Sequence, residues 1–196
     1  MTLILASNSH TRADLLRAAG VAFEVRGSGL DEAPLKAAGL ALGEDPRAIA
    51  LRLAEAKALA VSRTCDVLVI GSDQTLDLDG ALFDKPVDAA EARGRLLQLR
   101  GRPHRLHSAV VLARGGEIVW RDVPTATLHV RAFSEAWLDI YMSAAGEAVL
   151  DSVGAYQLEG LGVQLFERID GDWFAILGLP MLSLLAALRD RGLAAA

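Results

Sequence analysis

Strand-like and helix-like segments alternate through the first half of this 196-residue chain, and hairpin signals take over in the second. Alternating β and α units lay down parallel strands, whereas hairpins lay down antiparallel ones. The order therefore predicts an α/β protein built on a mixed β-sheet with flanking helices. The first unit is the strand LILAS and a helix over 11–19, stopped by Gly20 in the left-handed position. Thr11 with Asp14 resembles a capping box, and Ser9 is the alternative cap. VAFEVR alternates Val21, Phe23 and Val25 on one face and reads as a second strand. The stretch 27–43 reads as irregular and carries the pair Asp31-Glu32.

Asp45 as N-cap and Pro46 at the first helical position open a long helix. Ile49, Leu53, Ala56 and Ala60 form its apolar stripe, with Lys57 at the edge of that stripe. The run VLVIG, 67–71, is a buried strand that ends in GSDQ, followed by a hairpin turn at Asp79-Gly80 and by Lys85-Pro86. Asp88 with Glu91 opens the next helix. HRLHSAVVLARGGEIVWRDV gives two strands joined at Gly115-Gly116. Ser134 caps a helix that Gly146 ends. After the loop GAYQLEG, two strands flank Asp170-Gly171, and a last helix runs from near Pro180 to Gly192.

The length suits one domain, 1–196, or two lobes sharing a sheet. An apolar fraction of 52% leaves little room for disorder. No apolar run reaches the roughly 20 residues a membrane helix needs, so no membrane partner is expected. MTLILAS reads as a first strand, not a signal peptide. Cys65 is the single cysteine, which excludes an internal disulfide framework and suits a buried thiol in a cytoplasmic protein. A net charge of −5 without a basic run speaks against a nucleic-acid partner.

In α/β sheets, ligands collect where strands hand over to helices. SNSHTR follows the first strand, so backbone N–H groups at a helix start, the hydroxyls of Ser7, Ser9 and Thr11, and the Arg12 fork could receive an anion. The alternative is that the serines cap the helix and Arg12 is solvated. Asp73, read as the strand's end, suits a divalent-metal ligand or a general base, or an Asx-turn that merely ends the strand. Asp31 and Glu32 could add oxygen ligands or form a surface loop. Lys57 and Lys85 could neutralise phosphate charge, or be ordinary surface lysines. His104 and His107 fall on opposite faces of a strand, which excludes a histidine metal pair.

Together these segments resemble the Maf family of nucleotide pyrophosphatases. LILASNSHTRADLLRAAG resembles the family's L-A-S-x-S-x-x-R-x-x-L-L opening, Asp31-Glu32 its D-E, and RLAEAKA its L-A-x-x-K-A. VIGSDQTLDLDGALFDKP is similar to its central S-D-T/Q…K-P block, and LRGRPHRLHSAV, GAYQLEGLG and ILGLP follow in order. The resemblance implies an elongated mixed sheet with two lobes around a deep cleft, and a homodimer. It implies Mg²⁺- or Mn²⁺-dependent hydrolysis of a nucleoside triphosphate between the α- and β-phosphates, releasing pyrophosphate. Carried over, Asp73 is the proton acceptor, and Ser9, Arg12, Glu32, Lys57 and Lys85 are active-site polar positions. Glu32 and Asp73 are the expected metal ligands. Ser7, Ser9, Arg12, Gln74 and Glu159 are expected at the substrate.

Gln74 and Glu159 resemble the 7-methyl-GTP branch of the family, where dTTP- and UTP-directed members carry Thr and Gln. A carboxylate accepts from the two donors of a guanine edge and favours a positively charged methylated ring; a uracil edge offers one ring donor. The alternatives are a broader or dTTP/UTP-directed pyrophosphatase, and a nucleotide-sensing regulator of septum formation. His10 and Thr11 depart from the usual opening, which bears on fine substrate preference.

Overall fold

A computed structural model describes residues 3–194, so the first two residues of MTLILAS lie outside the described part. The element order is β1 (Leu3–Leu5), α1 (His10–Ala18), β2 (Glu24–Val25), α2 (Glu32–Ala41), α3 (Pro46–Ser62), β3 (Leu68–Leu78) and β4 (Ala81–Phe83). Then come α4 (Ala89–Leu99), β5 (Pro103–Arg114), β6 (Glu117–Asp122), β7 (Thr125–Val130), α5 (Glu135–Ala145), β8 (Phe166–Asp170), α6 (Trp173–Ile176) and α7 (Met181–Arg189). Eight strands form one mixed sheet in the order β2-β1-β3-β5-β7-β8, with β4 on β3 and β6 on β5. β1 pairs parallel with β2 and β3, while the hairpin pairs β3-β4 and β5-β6 are antiparallel, as is β7-β8.

Two compact units divide the chain. The first comprises 1–74, 107–125 and 172–196; the second comprises 75–106 and 126–171. In the first unit the sheet is covered on both faces, and the period-2 alternation of its strands sorts the core. Leu3, Leu5, Leu68, Ile70, Val110 and Leu112 face a cluster with Leu16 of α1 and Leu184 and Leu188 of α7. Their neighbours Ala109, Val111 and Ala113 join a second cluster with Ala50, Ala54 and Ala58 of α3. The alanines let α3 come unusually close. A Cβ on Gly71 would lie 2.2 Å from the Ala54 carbonyl oxygen and 2.7 Å from the Ala58 Cβ, so only glycine fits.

Most local signals hold. Asp45, Asp88 and Ser134 cap α3, α4 and α5 through their side chains. Ser9, not Thr11, caps α1. Asp79 (φ 52°) and Gly80 (φ 87°) form the β3-β4 turn, both in the left-handed region that a two-residue hairpin turn of this hand needs.

Four expectations about the fold are corrected here, and one strand is added. The supposed irregular stretch 27–43 contains α2, because the Asp31 side chain accepts from Ala33 N at 3.1 Å and starts a helix there. VAFEVR pairs only over Glu24–Val25, and Val25 is exposed rather than aligned with buried Val21. The second strand expected after Gly171 is the helical turn α6, since Asp172 caps Ala175 N. β7 is the added strand, and its short Thr-Ala-Thr start carries little apolar signal. Cys65 is half-buried rather than buried.

Candidate active site

β3 does not stop at Gly71 or Asp73. It continues unbroken to Leu78, so Asp73 sits in mid-strand rather than at a turn. Its direction follows from parity. Val69, Gly71 and Asp73 share one face of β3, the face on which Gly71 receives α3. Ser72 and Gln74 point the other way, toward the side covered by α1 and α7.

On the α3 face, Lys57 Nζ donates to Asp73 Oδ1 at 2.5 Å and meets Glu32 Oε1 at 2.8 Å. One ammonium thus holds two carboxylates. Lys57 and Asp73 are both buried, at 7% and 8% exposure, whereas the Glu32 side chain is 43% exposed. By its sequence pattern alone Lys57 stands at the edge of the α3 stripe. The buried positions are Pro46, Ile49, Ala50, Leu53, Ala54, Lys57, Ala58, Val61 and Ser62, so Lys57 lies inside it. The signal was present: Ile49, Leu53 and Lys57 recur at i, i+4 and i+8, and a lysine at a core position asks for a buried carboxylate.

On the opposite face the Arg12 guanidinium is built into the protein. Its Nε donates to the Gly178 carbonyl at 2.8 Å, and its Nη1 donates to the Ser72 carbonyl at 3.0 Å and to Ser7 Oγ at 3.3 Å. It is not a solvated arginine, and these bonds leave the Nη2 edge for a ligand. Gly178, at φ +94°, also accepts from Ser72 Oγ at 3.0 Å, so it anchors two site residues at once. In the sequence Gly178 is only the centre of ILGLP. A glycine two residues before Pro180 was its one signal, pointing to a positive-φ turn.

Ser9 Oγ accepts from Arg12 N at 3.4 Å, and Ser7 Oγ accepts from Ser9 N at 3.2 Å. The serines therefore shape the β1-α1 turn around Arg12. Gln74 Nε2 donates toward Ser108 Oγ at 2.9 Å, Ala175 O at 3.0 Å and Ile176 O at 2.9 Å. Two of these partners are carbonyls, which only accept. The chemistry therefore fixes the amide's orientation and leaves Oε1 as its acceptor end.

Burial pushes the Asp73 carboxyl above the usual carboxylate range, opposed by the charges of Lys57 and Arg12. Burial likewise disfavours the Arg12 charge, which Asp73 and Glu32 help to hold. A carboxylate raised this way is a better proton acceptor than an exposed one.

Ser7, Ser9, Arg12, Glu32, Lys57, Asp73 and Gln74 all fall in the first unit, where Lys57 joins Glu32 to Asp73, the two serines bond with Arg12, and Gln74 bonds to Ser108 and α6. Lys85 and Glu159 belong to the second, where both are exposed. Lys85 follows β4, next to buried Pro86. Glu159 stands in the loop before β8.

Among the described residues no three His, Cys, Asp or Glu side chains gather as a metal-binding group. The protein's own hard oxygen donors here are Asp73 and Glu32. One or two carboxylates completed by substrate phosphates and water is how Mg²⁺ is commonly held, so this donor set fits such an ion.

Residues 2–191 match the family described as Maf-like protein. A protein of Maricaulis maris named nucleoside triphosphate pyrophosphatase is 55% identical over 190 residues, covering 96% of each chain. A 7-methyl-GTP pyrophosphatase of Rhizobium meliloti is 53% identical, covering 97% of this chain and 96% of its own. A solved HAM1 protein from Coxiella burnetii aligns with 66% of this chain and 73% of its own, at TM-score 0.47 and 13% identity.

Proposed function

The chain belongs to the Maf family, and we propose that it hydrolyses nucleoside triphosphates between the α- and β-phosphates, with a preference for 7-methyl-GTP. The observation that carries the reaction is the buried Asp73 carboxylate, held by Lys57 on the same strand whose other face carries Arg12 and Gln74. Asp73 takes the proton from the water that attacks phosphorus. Lys57 fixes its orientation and, with Arg12 and Lys85, offsets the charge of the triphosphate and of the leaving pyrophosphate.

Asp73 and Glu32 are the residues that would hold Mg²⁺ or Mn²⁺, which supplies further charge neutralisation when bound. Both meet Lys57, so the ammonium keeps two neighbouring carboxylates together before any cation arrives.

The preference rests on acceptors. Gln74 has its amide hydrogens committed to the protein and offers Oε1, and Glu159 is an exposed carboxylate. Two acceptors suit the N1 and N2 donors of guanine better than the single ring donor of uracil or thymine. The methylated ring's positive charge adds to the match with Glu159. The similarity to the Rhizobium meliloti enzyme supports this reading.

The test is pyrophosphate release by the purified protein with Mg²⁺ or Mn²⁺, across 7-methyl-GTP, GTP, UTP, dTTP and CTP. The expected result is release, fastest relative to KM on 7-methyl-GTP. Release favouring UTP and dTTP would keep the reaction and remove the preference; no release from any nucleotide would remove both.

A further inference from the structure

The loop that carries Glu159 is tied down at one buried point, and the tie lies away from every residue assigned a role above. Tyr156 is 5% exposed, and its hydroxyl lies 2.6 Å from His104 Nε2 on β5. The same ring packs edge-on to Phe166 at 4.8 Å between centroids. Its backbone is held as well. Tyr156 N donates to Ser152 Oγ at 3.0 Å, and that hydroxyl donates back to Tyr156 O at 2.6 Å.

The backbone around this anchor could not be arbitrary. Ala155 sits at φ 58°, in the left-handed region that a side chain disfavours, and persists there only because its surroundings over-determine it. A Cβ on Gly154 would lie 2.2 Å from the Tyr156 ring, and one on Gly162 would lie 2.5 Å from the Gln157 carbonyl oxygen. Gly160 N and Gly162 N both donate to that same carbonyl, at 3.2 and 3.1 Å. The loop is therefore wrapped closely on Tyr156 and Gln157, and Glu159 projects from it.

His104 is an odd residue for that position. It is 2% exposed, and its Nδ1 has no hydrogen-bond partner. An apolar ring would fill the space without stranding a buried nitrogen. What histidine supplies here, and an apolar ring cannot, is the bond to the Tyr156 hydroxyl.

We propose that His104 is a positioning residue for nucleotide selection: by clasping Tyr156 it fixes the backbone of residues 154–160, from which Glu159 reads the base. The inference rests on the reading of Glu159 as a base-recognising residue. A positioned carboxylate discriminates between base edges; the same carboxylate on a loosened loop still attracts, but to any donor. The loss therefore falls on selection and not on the phosphate chemistry.

The test uses the full-length protein and its Mg²⁺-dependent pyrophosphate release, with kcat and KM measured for 7-methyl-GTP and UTP. Tyr156→Phe and His104→Phe should each lower the ratio of the two kcat/KM values at least tenfold. The loss should come through a higher KM for 7-methyl-GTP, with kcat on either nucleotide changed less than threefold. His104→Gln, which keeps a side chain able to bond the tyrosine, should recover most of the ratio. The double variant His104→Phe/Tyr156→Phe leaves no stranded partner, so its Tm should rise above that of Tyr156→Phe while selection stays lost. That separation is what a merely structural role does not give. If the single variants lose Tm but keep the wild-type ratio, the clasp has no part in selection. If the wild type releases no pyrophosphate, or shows no preference for 7-methyl-GTP, the functional reading falls and takes this inference with it.

Discussion

Lys57 Nζ lies 2.5 Å from Asp73 Oδ1, and both side chains are almost wholly buried. Two charges taken out of water together hold only while both are present. Asp73→Asn removes the proposed proton acceptor but leaves Lys57 its contact with Glu32. The expected outcome is a folded protein whose kcat falls roughly 10²–10⁴-fold. In the wild type, activity should rise with pH through a pKa above the ordinary carboxylate range, because burial raises Asp73 and the reaction needs it ionised. Residual kcat within tenfold of wild type would remove Asp73 from that role.

Lys57→Met strands the buried carboxylate, and unfolding in urea should show a loss of about 3–5 kcal/mol. Lys57→Met/Asp73→Asn should recover a large part of it, since no uncompensated charge is left inside. Equal stabilities for the single and double variants would show that the pair is not coupled.

Gly71→Ala drives a methyl group to within 2.2 Å of the Ala54 carbonyl oxygen. The helix that carries Lys57 must back away from the strand that carries Asp73. The expected cost is about 1–3 kcal/mol, accompanied by reduced pyrophosphate release. Gly94→Ala is the contrast: an added Cβ there meets nothing within 4 Å, and in the interior of α4 it should stabilise by roughly 0.5–1 kcal/mol. Identical effects at the two glycines would refute the close-packing account.

Gln74→Thr with Glu159→Gln should move preference from 7-methyl-GTP toward UTP and dTTP, by about tenfold or more in relative kcat/KM. Such a change corresponds to about 1.4 kcal/mol of differential transition-state binding. The Thr also withdraws the amide that serves Ala175 O and Ile176 O. A stability loss of about 1–3 kcal/mol should accompany it. An unchanged preference would show that specificity lies elsewhere.

His104 titrates at about 4 instead of 6.5, first because burial disfavours the imidazolium and second because His129 adds like charge. The unfolded chain therefore takes up a proton near pH 6.5 that the folded chain refuses until about pH 4. Stability contributed above that window is lost as pH falls through it, by at most about 3 kcal/mol, and the loss levels off below it. Urea unfolding at several pH values, wild type against His104→Phe, should give a flatter acid dependence in the variant. Parallel dependences would show that His104 is not the group responsible.

What the sequence determined by itself was mostly local. Asp45-Pro46, Ser134, Asp79-Gly80, Gly146 and Gly192 announce caps and turns because each acts on backbone groups within four residues. The ordered motifs likewise marked Arg12, Glu32, Lys57, Asp73 and Gln74 as polar positions worth joining, and named the family to which their spacing belongs. The tertiary structure decided what those residues touch. Lys57 looks like a stripe-edge lysine until β3 brings Asp73 against it, across 16 residues of chain. Arg12 looks solvated until the Gly178 carbonyl, 166 residues later, takes its Nε–H. Asp73 reads as a strand end because polar residues usually sit there; it runs through mid-strand because α3 and the far face of the sheet supply partners for GSDQ. Burial and charge pairing depend on which surfaces meet, and local patterns carry no record of a surface contributed by a distant part of the chain.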